Sequence, residues 1–194
     1  MDKFSLTANF PMQMQGYAIN PHFANIIKIL DICENALDER EKILAVLQGF
    51  FLEPPADIEL AIELFNKFLV KQKVEHADIT TLGPQPSRAQ EKQFCFKFDA
   101  EEIYADFVRE YSIDLLSVEY LHWHKFSVLL QGLSDKSRFR QKIALRFMDL
   151  SQYKDKARAD MEAAKQAVQL PVKLNKAETD YVQEMRMKLR QAKK

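Results

Sequence analysis

Apolar residues recur at helical spacing along most of this chain, and the breaks between them fall on proline, glycine and capping residues. Positions 1–20 read as irregular, punctuated by Pro11, Gly16 and Asn20. The pair Asn20-Pro21 then reads as an N-cap followed by a proline at the first helical position. Phe23, Ile26, Ile27, Leu30 and Cys33 mark one face of that helix. A second helix is expected from Asp38, with Glu41 placed for a capping box. Its apolar face is Ile43, Leu44, Leu47, Phe50 and Phe51, and Pro54-Pro55 ends it. Asp57 opens a third helix lined by Ile58, Ala61, Ile62, Phe65, Phe68 and Leu69. Three consecutive amphipathic helices with short turns can close a small bundle.

The periodicity fails over 72–93, where Gly83-Pro84 and Pro86-Ser87 mark a linker or loop. Phe94, Phe96 and Phe98 alternate with Cys95 and Lys97, which reads as an extended lead-in whose rings dock on the bundle. Asp99 and Glu102 have capping-box spacing, and Ile103, Phe107 and Tyr111 follow at i, i+4. After a turn at 112–114, a helix is expected over 117–131. Val118, Leu121, Val128 and Leu129 face one way, and Tyr120, Trp123, Phe126 and Leu130 another. A helix apolar nearly all round is usually the buried centre of a fold, so Tyr111, Leu121, Trp123, Phe126, Leu130 and Gly132 are assigned to the core. Gly132 is placed to close this helix in a left-handed cap, and Ser134 to start another carrying Phe139, Ile143, Phe147 and Leu150.

From Ser151 the apolar stripe narrows to Tyr153, Ala157, Met161, Ala164 and Val168, with coiled-coil-like spacings of four and three. Leu170-Pro171 interrupts it. Asn175 and Glu178 then cap a last helix bearing Tyr181, Met185 and Leu189. A narrow stripe on a charged helix cannot bury itself fully, so these residues are the expected partner-binding positions. The reading is an all-α fold: a bundle of about six helices, an irregular N-terminal segment and a protruding C-terminal helical arm. It divides into a three-helix part at 1–72, a linker and extended segment at 73–98, a helical core at 99–150 and the arm at 151–194.

Composition sharpens this picture in a few places. Only 4 glycines occur in 194 residues, which disfavours strand-rich folds and phosphate-cradling loops. Formal net charge is zero, so no global basic field attracts nucleic acid. No leader is recognised at the start, and no run approaches the roughly 20 apolar residues of a membrane span. The expected location is the cytoplasm. Cys33 and Cys95 lie among apolar neighbours and read as small buried hydrophobes.

Candidate chemistry is sparse. On a helix, His122 and His124 point roughly 200° apart and cannot readily share a metal. One imidazole is expected to be hydrogen-bonded and partly buried, the other exposed. The acidic pairs Asp38-Glu39 and Glu101-Glu102 sit at helix starts, where the macrodipole accounts for them. Arg138, Arg140, Lys142 and Arg146 share one helix, yet interleaved acids and apolar residues favour a solvated face over phosphate binding. No catalytic, metal or cofactor residues are assigned.

The strings YSIDLLSVEYLHWHKFSVLLQGL and FRQKIALRFMDL carry a family likeness. A Tyr-x-Ile-Asp-Leu turn (Tyr111, Ile113, Asp114, Leu115) leads to Leu121, His122 and Trp123, then Lys125 and Phe126, then Leu130, Gly132 and Leu133, and finally Arg146. This pattern resembles the gene-product-fifteen family of tailed bacteriophages of Gram-positive hosts. AINPHFANIIKIL and the turn from Phe50 to Pro55 resemble its N-terminal part. His124 departs from it, since members often carry a second tryptophan there. The likeness spans most of 10–150 and is weakest after Asp160.

The resemblance implies a tail assembly chaperone without catalytic residues. Genes of that family typically lie between those of the major tail protein and the tape-measure protein. The implied partners are the tape-measure protein, other tail assembly proteins and further copies of the chain, in the host cytoplasm. The alternatives are a connector retained in the virion and a helical nucleic-acid-binding regulator.

Overall fold

The computed structural model describes residues 9–35, 38–70 and 93–171. Positions 72–92 of the linker expected over 72–93, and the positions Tyr181, Met185 and Leu189, lie outside the described residues. Those described form seven helices and one hairpin, in two compact units: Met1–Phe147 and Met148–Lys194. The segments expected at 1–72 and 73–98, and nearly all of 99–150, fall in the first unit.

The irregular N-terminal segment contains a small antiparallel hairpin, β1 (Gln13–Met14) with β2 (Tyr17–Ala18). Gln15 and Gly16 turn it with φ of 48° and 88°, the two positive angles of a type I′ turn. Beyond the hairpin the chain is stitched to two distant places. Asn20 N–H donates to Phe50 O at 2.7 Å and Leu52 N–H to Ala18 O at 3.0 Å. Phe23 N–H donates to Leu121 O at 2.9 Å, and Trp123 N–H to Pro21 O at 2.7 Å.

Helix α1 (Phe23–Asn35) starts at this crossing, two residues later than the Asn-Pro pair implies. Its cap is the His22 ring, whose Nδ1 accepts from Ala24 N–H at 3.3 Å. α2 (Glu39–Phe50) is capped by Asp38, which accepts from Arg40 N–H. Asp57 caps α3 (Ile58–Val70) by accepting from Glu59 N–H and Leu60 N–H. α1 packs on α2, and α2 on α3. Ile26, Ile29, Val46, Phe50, Leu64 and Phe68 fill the space between them.

α4 (Ala100–Tyr111) packs on α6 (Arg138–Arg146), and α1 packs on α5 (Trp123–Gln131). Stacked rings join these pairs: Phe23 lies 4.9 Å from Phe126, and Phe126 lies 5.2 Å from Phe107. Leu121, Trp123, Phe126 and Leu130 are buried, while Tyr111 is half-buried and donates its hydroxyl to Leu129 O at 2.8 Å.

Several local expectations fail for tertiary reasons. The helix expected from 117 begins only at Trp123. Asp114 draws Leu116 N–H to its side chain and Val118 N–H to its carbonyl, and the N-terminal segment takes Leu121 O and Trp123 N–H. Gly132 is exposed and not in the core, and it is not left-handed, with φ −79°. A Cβ there would stand 3.1 Å from Tyr111 Oη, so the glycine makes room for that hydroxyl. The left-handed cap belongs to Ser112, φ 53°, at the end of α4. α6 is capped by Ser137 and not by Ser134, whose hydroxyl and N–H are held by Glu110. The stretch over 94–98 forms no strand, but Phe94 packs edge-on to Phe139 and Phe96 to Trp123. Cys33 and Cys95 are half-buried, not fully buried.

Trp123→Ala should remove the largest fully buried side chain and cost about 3–5 kcal/mol in urea unfolding. A loss near that of a surface substitution would mean the ring packs elsewhere.

Candidate functional site

Three groups of residues bear on function: a buried ion cluster, a set of histidines and a stripe on the second unit. The ion cluster arises because Asp99 does not act as the expected helix cap. Its carboxylate turns inward, fully buried, and accepts from Cys95 N–H at 2.9 Å. Arg146, at the last turn of α6, meets it with two bonds of 2.9 and 2.5 Å. Lys142 joins at 3.0 Å and also reaches Glu102 at 2.8 Å. Both cations lie against the Phe98 ring. Burial alone would raise the Asp99 pKa. The bonds from Arg146, Cys95 N–H and Lys142, with the Arg146 charge, outweigh it and hold the carboxyl below its usual range.

This cluster uses up much of the basic face seen in the sequence. Arg146 and Lys142 are paired with acids, and Arg140 donates to the carbonyls of Gln131 and Leu133. A second carboxylate, Asp106, is equally buried and accepts from Arg138 N–H and Phe139 N–H at the start of α6. It is a helix cap supplied by a neighbouring helix, with Arg109 at 2.7 Å as counter-charge.

Both rings of the His-Trp-His motif are buried, which corrects the expectation of one exposed imidazole. His122 precedes α5 and is its cap, so the two residues do not share a helix. Its Nδ1 accepts from His124 N–H at 3.0 Å, and its Nε2 lies 3.1 Å from Pro11 O. His124 Nε2 lies 3.0 Å from Phe68 O, with its ring stacked on Phe68. Among the described residues no group of three or more His, Cys, Asp or Glu could hold a metal ion. No described helix is long and apolar enough to cross a membrane.

The second unit holds α7 (Asp155–Ala167), about 20 Å long at roughly 1.5 Å per residue and shorter than the expected 151–169. None of its residues is buried. Ala157, Met161, Ala164 and Val168 recur at four, three and four along it. Ala157 is exposed, and Met161, Ala164 and Val168 are half-exposed, as is Tyr153 ahead of the helix. Arg158 pairs with Glu162 along the helix, and Lys165 donates to Met148 O.

The first unit also exposes apolar side chains, among them Tyr120, which the helical spacing had placed on a face with Trp123 and Phe126. Leu116 is 85% exposed and Leu52 67%. Tyr120 and Met12, both half-exposed, meet through a 3.2 Å contact between hydroxyl and sulfur.

A family model described as "Bacteriophage Gp15 protein" matches residues 5–170. The match therefore runs through α7, beyond the point at Asp160 where the sequence likeness was expected to fade. No curated protein and no solved structure matches.

Arg146→Ala should leave Asp99 buried without its main partner and cost about 3–5 kcal/mol in chemical denaturation. Arg138→Ala, on the same helix but exposed, should change stability by less than about 0.5 kcal/mol. Equal effects at the two positions would contradict the cluster's structural role.

Proposed function

This chain belongs to the bacteriophage Gp15 protein family, and from that premise we propose that it is a tail assembly chaperone. It binds the tape-measure protein in the host cytoplasm, keeps it soluble and helps tail-tube polymerisation begin. It acts by binding and not by catalysis, in concert with other tail assembly proteins and as more than one copy along its client.

The observation that carries this reading is the family match over 5–170, which includes a helix bearing an aligned apolar stripe and no buried residue. A long apolar helical client offers the complementary surface, and methionine at the centre of the stripe adapts to varied partners. The polar groups that could do chemistry are engaged structurally. Asp99 and Asp106 hold α6 in place, and His122 and His124 bind backbone groups.

Co-expression with the tape-measure protein should raise its soluble yield and recover both chains together by affinity capture. The variant carrying Tyr153→Ser, Met161→Ser and Val168→Ser should lose on the order of tenfold in capture while the urea transition of the first unit is kept. Light scattering should give more than one copy in the complex. A tape-measure protein that is soluble alone and never co-purifies overturns the proposal. Mass spectrometry of purified particles should find this chain absent. A fixed copy number there would favour a connector retained in the virion.

A further inference from the structure

A small unit occurs twice in the chain: Pro21-His22-Phe23 and Leu121-His122-Trp123. The two copies lie against each other as an antiparallel bridge, joined by Phe23 N–H to Leu121 O and Trp123 N–H to Pro21 O. A helix starts from each, and each histidine caps its own helix through Nδ1: Ala24 N–H at 3.3 Å for His22, and His124 N–H at 3.0 Å for His122. The N-termini of α1 and α5 thus begin at one crossing, where the positive ends of two helix dipoles meet.

An imidazole can cap a helix in this way only while neutral, because Nδ1 must accept. For His122 the partners fix the tautomer. Nδ1 accepts from His124 N–H, so Nε2 carries the hydrogen and donates to Pro11 O. Protonation places a hydrogen on Nδ1 facing another N–H. It also puts a full positive charge at the positive end of a helix. We propose that the His22–His122 crossing is an acid-released latch. Neutral rings clamp the N-terminal segment to the core, and protonated rings uncap α1 and α5 and free that segment.

The surroundings favour this. Phe10 stacks on the His122 ring at 4.8 Å, Phe68 of α3 lies at 5.9 Å, and His124 of α5 lies at 5.0 Å. Tyr120 faces His22 at 5.8 Å, and Lys28 of α1 adds positive charge there. None of these groups is an anion that could hold a charged imidazole. Burial holds the His122 pKa below its ordinary value, opposed in part by the Pro11 carbonyl. Burial and Lys28 do the same for His22. The sign follows: the unfolded chain binds protons more readily than the folded one. The stabilisation is complete above the unfolded value near 6.5 and is lost as pH falls through the lower folded values.

Amide hydrogen exchange of the full chain, corrected for intrinsic rates, tests the latch between about pH 7.5 and pH 5. The Phe23 and Trp123 amides should lose protection, by up to about tenfold per pH unit for each proton taken up. The Val46 and Leu64 amides, in α2 and α3, should keep theirs. The fluorescence of Trp123, the one tryptophan in the sequence, should shift to the red over the same range. His122→Asn supplies a cap that does not titrate and should flatten most of the change. Uniform loss of protection, no change down to pH 5, or a wild-type profile in His122→Asn overturns the proposal. If that variant does not fold, imidazole nitrogen NMR of the unmodified protein decides. A neutral ring protonated at Nε2 near neutral pH supports the latch, and a charged ring or one protonated at Nδ1 overturns it.

Discussion

The two backbone hydrogen bonds between the segments at Pro21–Phe23 and Leu121–Trp123 are the constraint on which the first unit depends. They join parts of the chain that are far apart in sequence and set where α1 and α5 begin. They also satisfy backbone groups at a buried position, where an unpaired N–H or C=O is expensive. Once the crossing is fixed, Phe23 and Trp123 must point inward together. The ring column through Phe126 to Phe107 then carries that placement to α4.

A second constraint is electrostatic and joins the start and body of α4 to α6. Asp99 and Asp106 lie seven residues apart, two turns, so both face α6. One grips its last turn through Arg146, and the other caps its first turn through the Phe139 and Arg138 amides. Apolar contact would hold two helices together at many registers. Two buried carboxylates with fixed partners allow one, at a desolvation cost that only full pairing offsets.

What could be read from the sequence divides along the same line. Helical periodicity and caps at Asp38 and Asp57 locate α2 and α3 well, because those helices are settled by local chemistry and one apolar face. Trp123 and Phe126 also stand out as core from their spacing alone. The stretch 115–122 does not, since its apolar spacing is helical while its backbone partners lie in the N-terminal segment. Asp99 misleads for a related reason: a carboxylate at a helix start resembles a cap until a distant arginine arrives. The histidines are the clearest case. Their spacing argues against a shared metal, but nothing local tells that His122 ends a bridge and begins a helix. The stripe on α7 is visible in the sequence as a pattern, and its exposure is a property of the fold.

The Asp99–Arg146 clasp spans 47 positions, and this has a consequence for the order in which the polypeptide acquires its shape. A ribosome releases the aspartate first. It then adds every residue of α4, α5 and most of α6 before the guanidinium emerges, a delay of roughly 2–10 s at ordinary elongation rates. During that interval the carboxylate stays hydrated, because burying it alone is prohibitive. The nascent chain therefore stays open along this seam until Arg146 has emerged, and closure comes as a late step instead of a gradual collapse. A stop placed just before that arginine would leave Asp99 with Lys142 but without its two-bonded guanidinium, whereas one placed just after it would keep both cations.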